Sequence, residues 1–139
     1  MMWISQYPLF VKIWRLDWKM ANILLAEDEE VLRMLVVDTL EDEGYTIDEA
    51  CDGEEAYDLI KKNSYDLIIL DYMMPVYSGL ELIEMIRKDL NKTKIMMLSA
   101  KSQTSDQQKV LDAGADYFMS KPFSPLQLVD RIEEILGEA

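Results

Sequence analysis

The feature that most constrains the fold of this chain is a strict alternation of strand-like and helix-like stretches. Five short apolar runs are separated by stretches with the apolar spacing of an amphipathic helix. The strand-like runs cover residues 22–27, 45–50, 65–70, 94–99 and 115–120. Strands joined through helices run parallel, and helices cover both faces of a parallel sheet. The alternation therefore predicts an α/β domain with a doubly wound, five-stranded parallel sheet and five helices.

The intervening stretches have predictable apolar faces and ends. The first helix is predicted to bury Leu32, Leu35, Val36, Thr39 and Leu40. The other helices are predicted at residues 54–62, 80–90, 105–113 and 125–136. The third is predicted to bury Leu82, Ile83, Ile86 and Leu90. Gly44 is expected to end the first helix, and Ser124 and Pro125 are expected to begin the fifth as N-cap and first residue.

The charge balance limits the partners that this chain can bind directly. Its 139 residues suit one domain with a real core, and they carry a net charge of -13. Such an acidic chain is a poor direct binder of nucleic acid and of anionic membranes, since both attract basic surfaces. The acidic balance favours cations and basic protein surfaces instead.

Two residue types exclude further classes of function. The chain contains no histidine, which excludes histidine-based zinc sites, Ser-His-Asp triads and Cys-His dyads. Its single cysteine, Cys51, excludes an intramolecular disulfide and favours a reducing, cytoplasmic setting. We expect Cys51 to be a partly buried apolar side chain. The remaining candidates for chemistry are carboxylates, hydroxyls and lysines.

The first nineteen residues differ from the rest of the chain. They contain all three tryptophans, and charged residues interrupt their apolar run. The run is therefore too short to span a bilayer, and it makes a poor signal peptide. Two interpretations stay open for residues 1–19: an amphipathic helix that docks on another surface, or a non-native leader from an upstream start codon. The compact domain is predicted at residues 20–139.

Polar side chains stand where the predicted strands end. Glu27 and Asp28 follow the first strand, Asp71 follows the third, Ser99 ends the fourth and Lys121 follows the fifth. The functional crevice of a doubly wound sheet lies at the carboxyl ends of its strands, so these side chains are expected to converge. A single aspartate there more often forms a turn or caps a helix, but the whole constellation indicates a site.

The segments that carry these residues are "AEDEE", "LDYMMPVYSG", "LSA" and "AGADYFMSKPF". In order and spacing they resemble the receiver domain of two-component response regulators over about residues 21–137, in particular the stand-alone, chemotaxis-regulator-like type. The resemblance implies a flavodoxin-like three-layer sandwich with strand order 2-1-3-4-5. It also implies a signalling phosphoacceptor and not an enzyme, with at most slow intrinsic autophosphatase activity.

The resemblance assigns a metal site to the acidic residues. It implies that Asp28, Asp71 and the backbone carbonyl of Met73 bind Mg²⁺, while Glu27 acts directly or through a water. Mn²⁺ is expected to substitute for Mg²⁺. Carboxylate and carbonyl oxygens, completed by water, are the ligands that octahedral Mg²⁺ prefers.

The acidic run at residues 27–30 thereby divides into two parts. Glu27 and Asp28 belong to the implied metal site, whereas Glu29 and Glu30 fall in the first turn of the following helix. A helix N-terminus favours negative charge, so these two glutamates are expected to be exposed and without a role in the chemistry.

The resemblance also gives the other site residues their roles. Asp71 would be the nucleophile that takes a phosphoryl group from a phosphohistidine, and Lys121, aimed by a cis bond before Pro122, would pair with the phosphoryl oxygens. Ser99 would donate its hydroxyl to the bound phosphoryl group. Phe118 would be the switch aromatic that turns inward and remodels the face of helix 4, strand 5 and helix 5. Ordinary core packing is the alternative for Phe118.

The partners implied by the resemblance are a sensor histidine kinase or a histidine phosphotransferase, and a downstream protein target. The phosphoryl group would switch the binding of that target. The domain is expected to be cytoplasmic and to be a monomer or a weak dimer. No direct contact with nucleic acid and no membrane insertion are expected.

Two other classes of function compete with this one. The first is a phosphorylation-independent interaction module that keeps the receiver fold; the intact set of Asp28, Asp71, Ser99 and Lys121 argues against it. The second is a Mg²⁺-dependent phosphatase of the haloacid dehalogenase type. That family has a second aspartate two residues after its nucleophile, where this chain has Met73.

Overall fold

The computed structural model describes residues 21–100 and 104–137, in which five strands and five helices alternate. The strands are β1 (Asn22–Ala26), β2 (Thr46–Ala50), β3 (Leu67–Asp71), β4 (Ile95–Ser99) and β5 (Tyr117–Ser120). The helices are α1 (Glu30–Asp42), α2 (Gly53–Lys62), α3 (Gly79–Lys88), α4 (Thr104–Ala113) and α5 (Pro125–Leu136). All strand pairs are parallel, in the order β2-β1-β3-β4-β5. The predicted doubly wound, flavodoxin-like fold is confirmed; the predicted extension at residues 1–19 lies outside the described residues.

Helices cover both faces of the sheet, and the two-residue period of the strands divides the core between them. On β1, Ile23 and Leu25 pack with buried residues of α1 and α5, whereas Leu24 and Ala26 pack with those of α2, α3 and α4. Every residue of β3 and β4 is buried. Burying a large aliphatic side chain stabilises a fold by about 1.5–3 kcal/mol, so these central strands hold the sheet edge in place.

The predicted helix ends at Gly44 and Ser124 are confirmed by their hydrogen bonds. Gly44 has a φ of 99°, and its N–H donates to the carbonyl of Glu41 at 2.9 Å. The N–H of Tyr45 donates to the carbonyl of Leu40 at 3.2 Å. This pair of bonds is a Schellman ending, which requires the left-handed conformation that glycine adopts without strain. Ser124 caps α5 in a capping box with Gln127.

Two of the predicted apolar contacts are wrong. Leu35 is 48% exposed, because α1 buries Val36, Val37 and Leu40, and Leu35 lies roughly 150° around the helix from the centre of that face. Cys51 is exposed, because β2 ends at Ala50 and the chain turns away from the core.

None of the helices among residues 21–100 and 104–137 has the length and apolarity that crossing a membrane requires.

The prediction that Leu90 is buried on α3 is also wrong. The helix ends at Lys88, and Leu90 is 83% exposed with a φ of 64°. Its N–H donates to the carbonyl of Arg87 at 3.0 Å, and the N–H of Asn91 donates to the carbonyl of Ile86 at 3.3 Å. This is again a Schellman ending, with leucine in the position that favours glycine.

We expect Leu90→Gly to stabilise the protein. A left-handed conformation costs a residue with a Cβ about 1 kcal/mol, and little packing is lost at so exposed a side chain. Urea unfolding should therefore give a free energy of unfolding about 1 kcal/mol higher. Leu126→Gly is the control: Leu126 is 69% exposed on α5, where glycine should lower stability by a similar amount. A loss of stability in Leu90→Gly would contradict the strained ending.

Arg87 joins the end of α3 to the segments around it. Its Nη1 donates to the carbonyls of Asn91 and Thr93 at 2.8 Å each, and its Nε donates to that of Gly114 at 3.0 Å. Its Nη2 contacts Asp116 Oδ2 at 2.9 Å. The guanidinium thus ties α3 to the start of β4 and to the turn between α4 and β5, at the edge of the sheet opposite to the carboxyl ends of the strands.

Candidate functional site

The predicted site residues converge at the carboxyl edge of the sheet. Glu27 follows β1, Asp71 ends β3 and Ser99 ends β4, while Lys121 follows β5. The register holds these ends level, with Asp71 opposite Leu98 and Ser99 opposite Ser120. The carboxyl ends of parallel strands meet at one edge of the sheet, so side chains that are far apart in sequence become neighbours here.

Three carboxylates form an acidic cluster, which we define as Glu27, Asp28 and Asp71. One oxygen from each lies within 4.8 Å of the others. Glu27 is 1% exposed and Asp71 is 6% exposed, whereas Asp28 is exposed. The ammonium of Lys121 lies 2.8 Å from Glu27 Oε1 and 3.1 Å from Asp71 Oδ1. One ammonium therefore pairs with two of the three carboxylates, which leaves net negative charge on the acidic cluster.

The pKa values of the buried pair reflect this crowding. Burial, followed by repulsion from Glu27, raises the pKa of Asp71 to about 6, against the opposing effect of Lys121. Burial acts to lower the pKa of Lys121, but the hydrogen bond that its ammonium donates to Glu27 and the attraction of Asp71 outweigh it, so the net shift is upward. Lys121 is thus held as a cation, and Asp71 is ionised at neutral pH at a cost in stability.

The raised pKa of Asp71 predicts how the stability of the metal-free protein depends on pH. Between the unfolded value of 3.8 and the folded value of about 6, the folded state binds more protons than the unfolded state. The contribution of Asp71 to stability is thus complete below about pH 4 and is lost as the pH rises through about 6. Urea unfolding in EDTA should show Asp71→Asn gaining about 2 kcal/mol relative to wild type between pH 4.5 and 7.5. A constant difference would contradict the shift.

The acidic cluster fits a hard divalent cation. Its donors are all carboxylate oxygens, which suit Mg²⁺ or Mn²⁺ and not a soft metal. Two oxygens on opposite sides of an octahedral Mg²⁺ are roughly 4 Å apart, which is close to the spread of the oxygens in the cluster. A cation would also neutralise the charge that Lys121 leaves unbalanced. The acidic cluster thus fits a divalent cation, and which residues bind it stays a prediction.

Ser99 and Pro122 are joined to Lys121 through the backbone, and Phe118 lies on β5, the strand before it. Ser99 is 1% exposed, and its carbonyl accepts the N–H of Lys121 at 2.9 Å. The bond between Lys121 and Pro122 is cis. Phe118 on β5 is partly buried and packs against the core on the side of α2, α3 and α4. This packing fits both interpretations of Phe118, so its role as a switch stays a prediction.

The loop between β3 and α3 places Met73 two residues beyond Asp71, with its side chain 60% exposed. Gly79 closes this loop, and its N–H donates to the carbonyl of Tyr72 at 2.9 Å. A Cβ on Gly79 would lie 2.5 Å from the carbonyl oxygen of Asp71. Gly79 is therefore needed for close approach to the backbone of Asp71. Whether the Met73 carbonyl binds a metal stays a prediction.

Several supporting contacts were missed by the sequence analysis. Lys121 was expected to meet phosphoryl oxygens, but in this structure it also pairs with Glu27. Gly53, at the start of α2, packs against the loop that carries Met73: its N–H donates to the carbonyl of Pro75 at 3.1 Å. The only sequence signal for Gly53 is its place after Asp52, a strong N-cap residue that accepts the N–H of Glu55. Glu29 and Glu30 are exposed, as predicted, but only Glu30 lies in the first turn of α1, because Glu29 is its N-cap.

Comparison with known proteins shows the family. A family model described as "Response regulator receiver domain" matches residues 23–133. The response regulator GtcR of Aneurinibacillus migulanus is 44% identical over 118 residues, which are 85% of this chain and 48% of that protein. The chemotaxis response regulator CheY4 of Vibrio cholerae has a TM-score of 0.80 at 33% identity, with 84% of this chain and 98% of that chain covered. TrrA from Thermotoga maritima, solved in complex with Mg(2+)-BeF, has a TM-score of 0.75 at 38% identity, with 84% and 99% covered.

The fold and the site define a receiver domain, and this chain belongs to the response regulator receiver domain family of two-component systems. Receiver domains are signalling phosphoacceptors that bind Mg²⁺ at an acidic site and interact with histidine kinases or phosphotransferases. The chain spans about half the length of the curated relatives it matches, such as GtcR. The haloacid dehalogenase interpretation is not supported by this family assignment.

Proposed function

We propose that this receiver accepts a phosphoryl group on Asp71 and thereby switches its binding of a protein partner. The donor is a phosphohistidine on a sensor histidine kinase or a histidine phosphotransferase. The proposal rests on one observation: Asp71 is 6% exposed, and its Oδ1 lies 3.1 Å from the ammonium of Lys121 within a three-carboxylate cluster. A buried carboxylate beside a fixed cation is the arrangement that an aspartyl nucleophile requires.

The reaction is an exchange of one phosphorus bond for another. A carboxylate oxygen of Asp71 forms a bond to phosphorus as the P–N bond of the phosphohistidine breaks, and the imidazole nitrogen leaves with the electron pair. The ammonium of Lys121 balances charge on the phosphoryl oxygens. Asp28, Asp71 and the carbonyl of Met73 would hold Mg²⁺ or Mn²⁺, with Glu27 beside them. When bound, the cation supplies positive charge that offsets the charge on the transferred group.

The switch acts through the ends of β4 and β5. In the proposal, the hydroxyl of Ser99 donates to the phosphoryl group, and Phe118 turns into the space that opens. Ser99 is already joined to Lys121 through its carbonyl, so a movement of one strand end reaches the other. The surface that changes is formed by α4, β5 and α5, and it binds the downstream protein.

Slow loss of the phosphoryl group follows from attack of water on phosphorus, which returns Asp71 to a carboxylate. The receiver works in the cytoplasm as a monomer or a weak dimer.

The test is the reaction of the protein with a small acyl-phosphate donor in the presence of Mg²⁺. Intact-mass measurement should find one added phosphoryl group on wild type and none on Asp71→Asn. Asp66→Asn is the matched control, because Asp66 is exposed at the opposite end of β3, where it accepts the N–H of Asn22. Modification that persists in Asp71→Asn would overturn Asp71 as the acceptor. No modification of wild type would overturn the proposal and favour a phosphorylation-independent module.

A further inference from the structure

Arg33 on α1 contacts the acidic cluster without belonging to it. Its Nη1 donates to the backbone carbonyl of Glu27 at 2.8 Å, and its Nε contacts Glu49 Oε1 on β2 at 3.3 Å. The side chain of Arg33 is 15% exposed, whereas that of Glu49 is 47% exposed. The bond to Glu27 is therefore the shorter and the better shielded of the two.

All of the polar groups of Glu27 take part in hydrogen bonds. Its N–H donates to the carbonyl of Ala50 at 3.0 Å, and its carbonyl accepts from Arg33. Its carboxylate accepts from the ammonium of Lys121 at 2.8 Å and from the N–H of Glu29 at 3.1 Å. At 1% exposure, Glu27 cannot readily replace a lost partner by water.

The carbonyl held by Arg33 also sets the direction of the next residue. A peptide group is planar, so fixing the carbonyl of Glu27 fixes the plane that leads to the Cα of Asp28. Asp28 is exposed and lies in the short connection between β1 and α1, where burial does not hold it. The contact with Arg33 therefore bears on both carboxylates that β1 brings to the cluster.

We propose that Arg33 is a positioning residue for the acidic cluster. Its guanidinium holds the connection between β1 and α1 so that Glu27 and Asp28 present their carboxylates to one divalent cation. This inference rests on the metal site of the proposed function. Residues that orient metal ligands typically change metal affinity by 10–100-fold when they are removed.

The positive charge of Arg33 and its positioning role predict opposite changes in Mg²⁺ affinity when Arg33 is replaced. A cation near the acidic cluster repels Mg²⁺, so an effect of charge alone would make Arg33→Gln bind Mg²⁺ more tightly. Loss of positioning would make Arg33→Gln bind it more weakly. Arg33→Lys keeps the charge but loses the two-pronged geometry, so the proposal expects an intermediate affinity.

The experiment is a calorimetric titration of Mg²⁺ into wild type, Arg33→Gln and Arg33→Lys, with amide hydrogen exchange measured on the metal-free proteins. We expect Arg33→Gln to weaken Mg²⁺ binding by about 10-fold or more. In the metal-free Arg33→Gln protein, the N–H of Glu29 should exchange faster than it does in wild type, while the exchange rates of the core amides should stay nearly the same. Lys61→Gln is the control for charge, since Lys61 is exposed on α2 and its loss should leave the affinity nearly unchanged.

Tighter or unchanged Mg²⁺ binding in Arg33→Gln would overturn the proposal. So would a uniform rise in exchange across all amides with the affinity kept, because that result describes a purely structural arginine. Asp28→Ala separates this failure from a failure of the metal site itself. If Asp28→Ala abolishes Mg²⁺ binding while Arg33→Gln does not alter it, the metal site stands and Arg33 is not its positioning residue.

Discussion

Replacing Asp28 by alanine should abolish Mg²⁺-dependent phosphorylation, lowering its rate by about 100-fold or more. Asp28 supplies one of the three carboxylate oxygens that lie within 4.8 Å of one another, and it is the exposed member of the acidic cluster. Because it is exposed, its loss should not disturb the core. The effect is therefore expected on metal affinity and phosphorylation, with the stability of the metal-free protein nearly unchanged.

The matched control for Asp28→Ala is Glu30→Ala. Glu30 is also exposed and acidic, two residues away, but it begins α1 and lies outside the acidic cluster. It should keep phosphorylation within about 2-fold of wild type, since a surface carboxylate contributes through screened charge only. The rate of phosphoryl uptake from an acyl-phosphate donor is measured over a range of Mg²⁺ concentrations. Equal losses in the two variants would mean that general acidity matters and that the cluster does not.

Replacing Gly53 by alanine should destabilise the protein by about 3 kcal/mol. A Cβ there would lie 2.3 Å from the carbonyl oxygen of Tyr77 and 2.6 Å from its Cβ. Both atoms belong to or adjoin the backbone of the loop between β3 and α3, so the loop must move. The gain of about 1 kcal/mol from alanine in a helix does not offset such a clash.

Thermal unfolding measures this effect, with a midpoint expected about 10 °C below that of wild type. Gly137→Ala is the control, because Gly137 is exposed after α5 with an ordinary φ of -79°. The moved loop also carries Met73, so Gly53→Ala should weaken Mg²⁺ binding in addition. Wild-type stability in Gly53→Ala would show that α2 and the loop are not packed as the structure has them.

The fold was predictable because its main determinants are local and periodic. Apolar runs such as β3 are buried on both faces, and glycine at position 44 ends a helix through its own backbone. The errors at Leu35 and Leu90 have a different origin. Helical spacing shows that a face exists, but its rotation and its last turn depend on packing against the sheet, which one sequence does not reveal.

The candidate site was predictable as far as strand ends determine it. Parallel strands bring Glu27, Asp71 and Lys121 to one edge whatever their side chains do. The contacts between side chains were harder, because they depend on reach and rotamer. The pairing of Lys121 with Glu27, and the bond from Arg33 to the carbonyl of Glu27, therefore emerged only from the structure.

The most direct test of the central claim is to locate the phosphoryl group. Wild-type protein is phosphorylated by an acyl-phosphate donor with Mg²⁺, the acyl phosphate is reduced with borohydride, and the peptides are mapped by mass spectrometry. The predicted result is a single modified residue, Asp71. Modification of Asp28, of Glu27 or of a carboxylate outside the acidic cluster would contradict the claim that Asp71 is the phosphoacceptor.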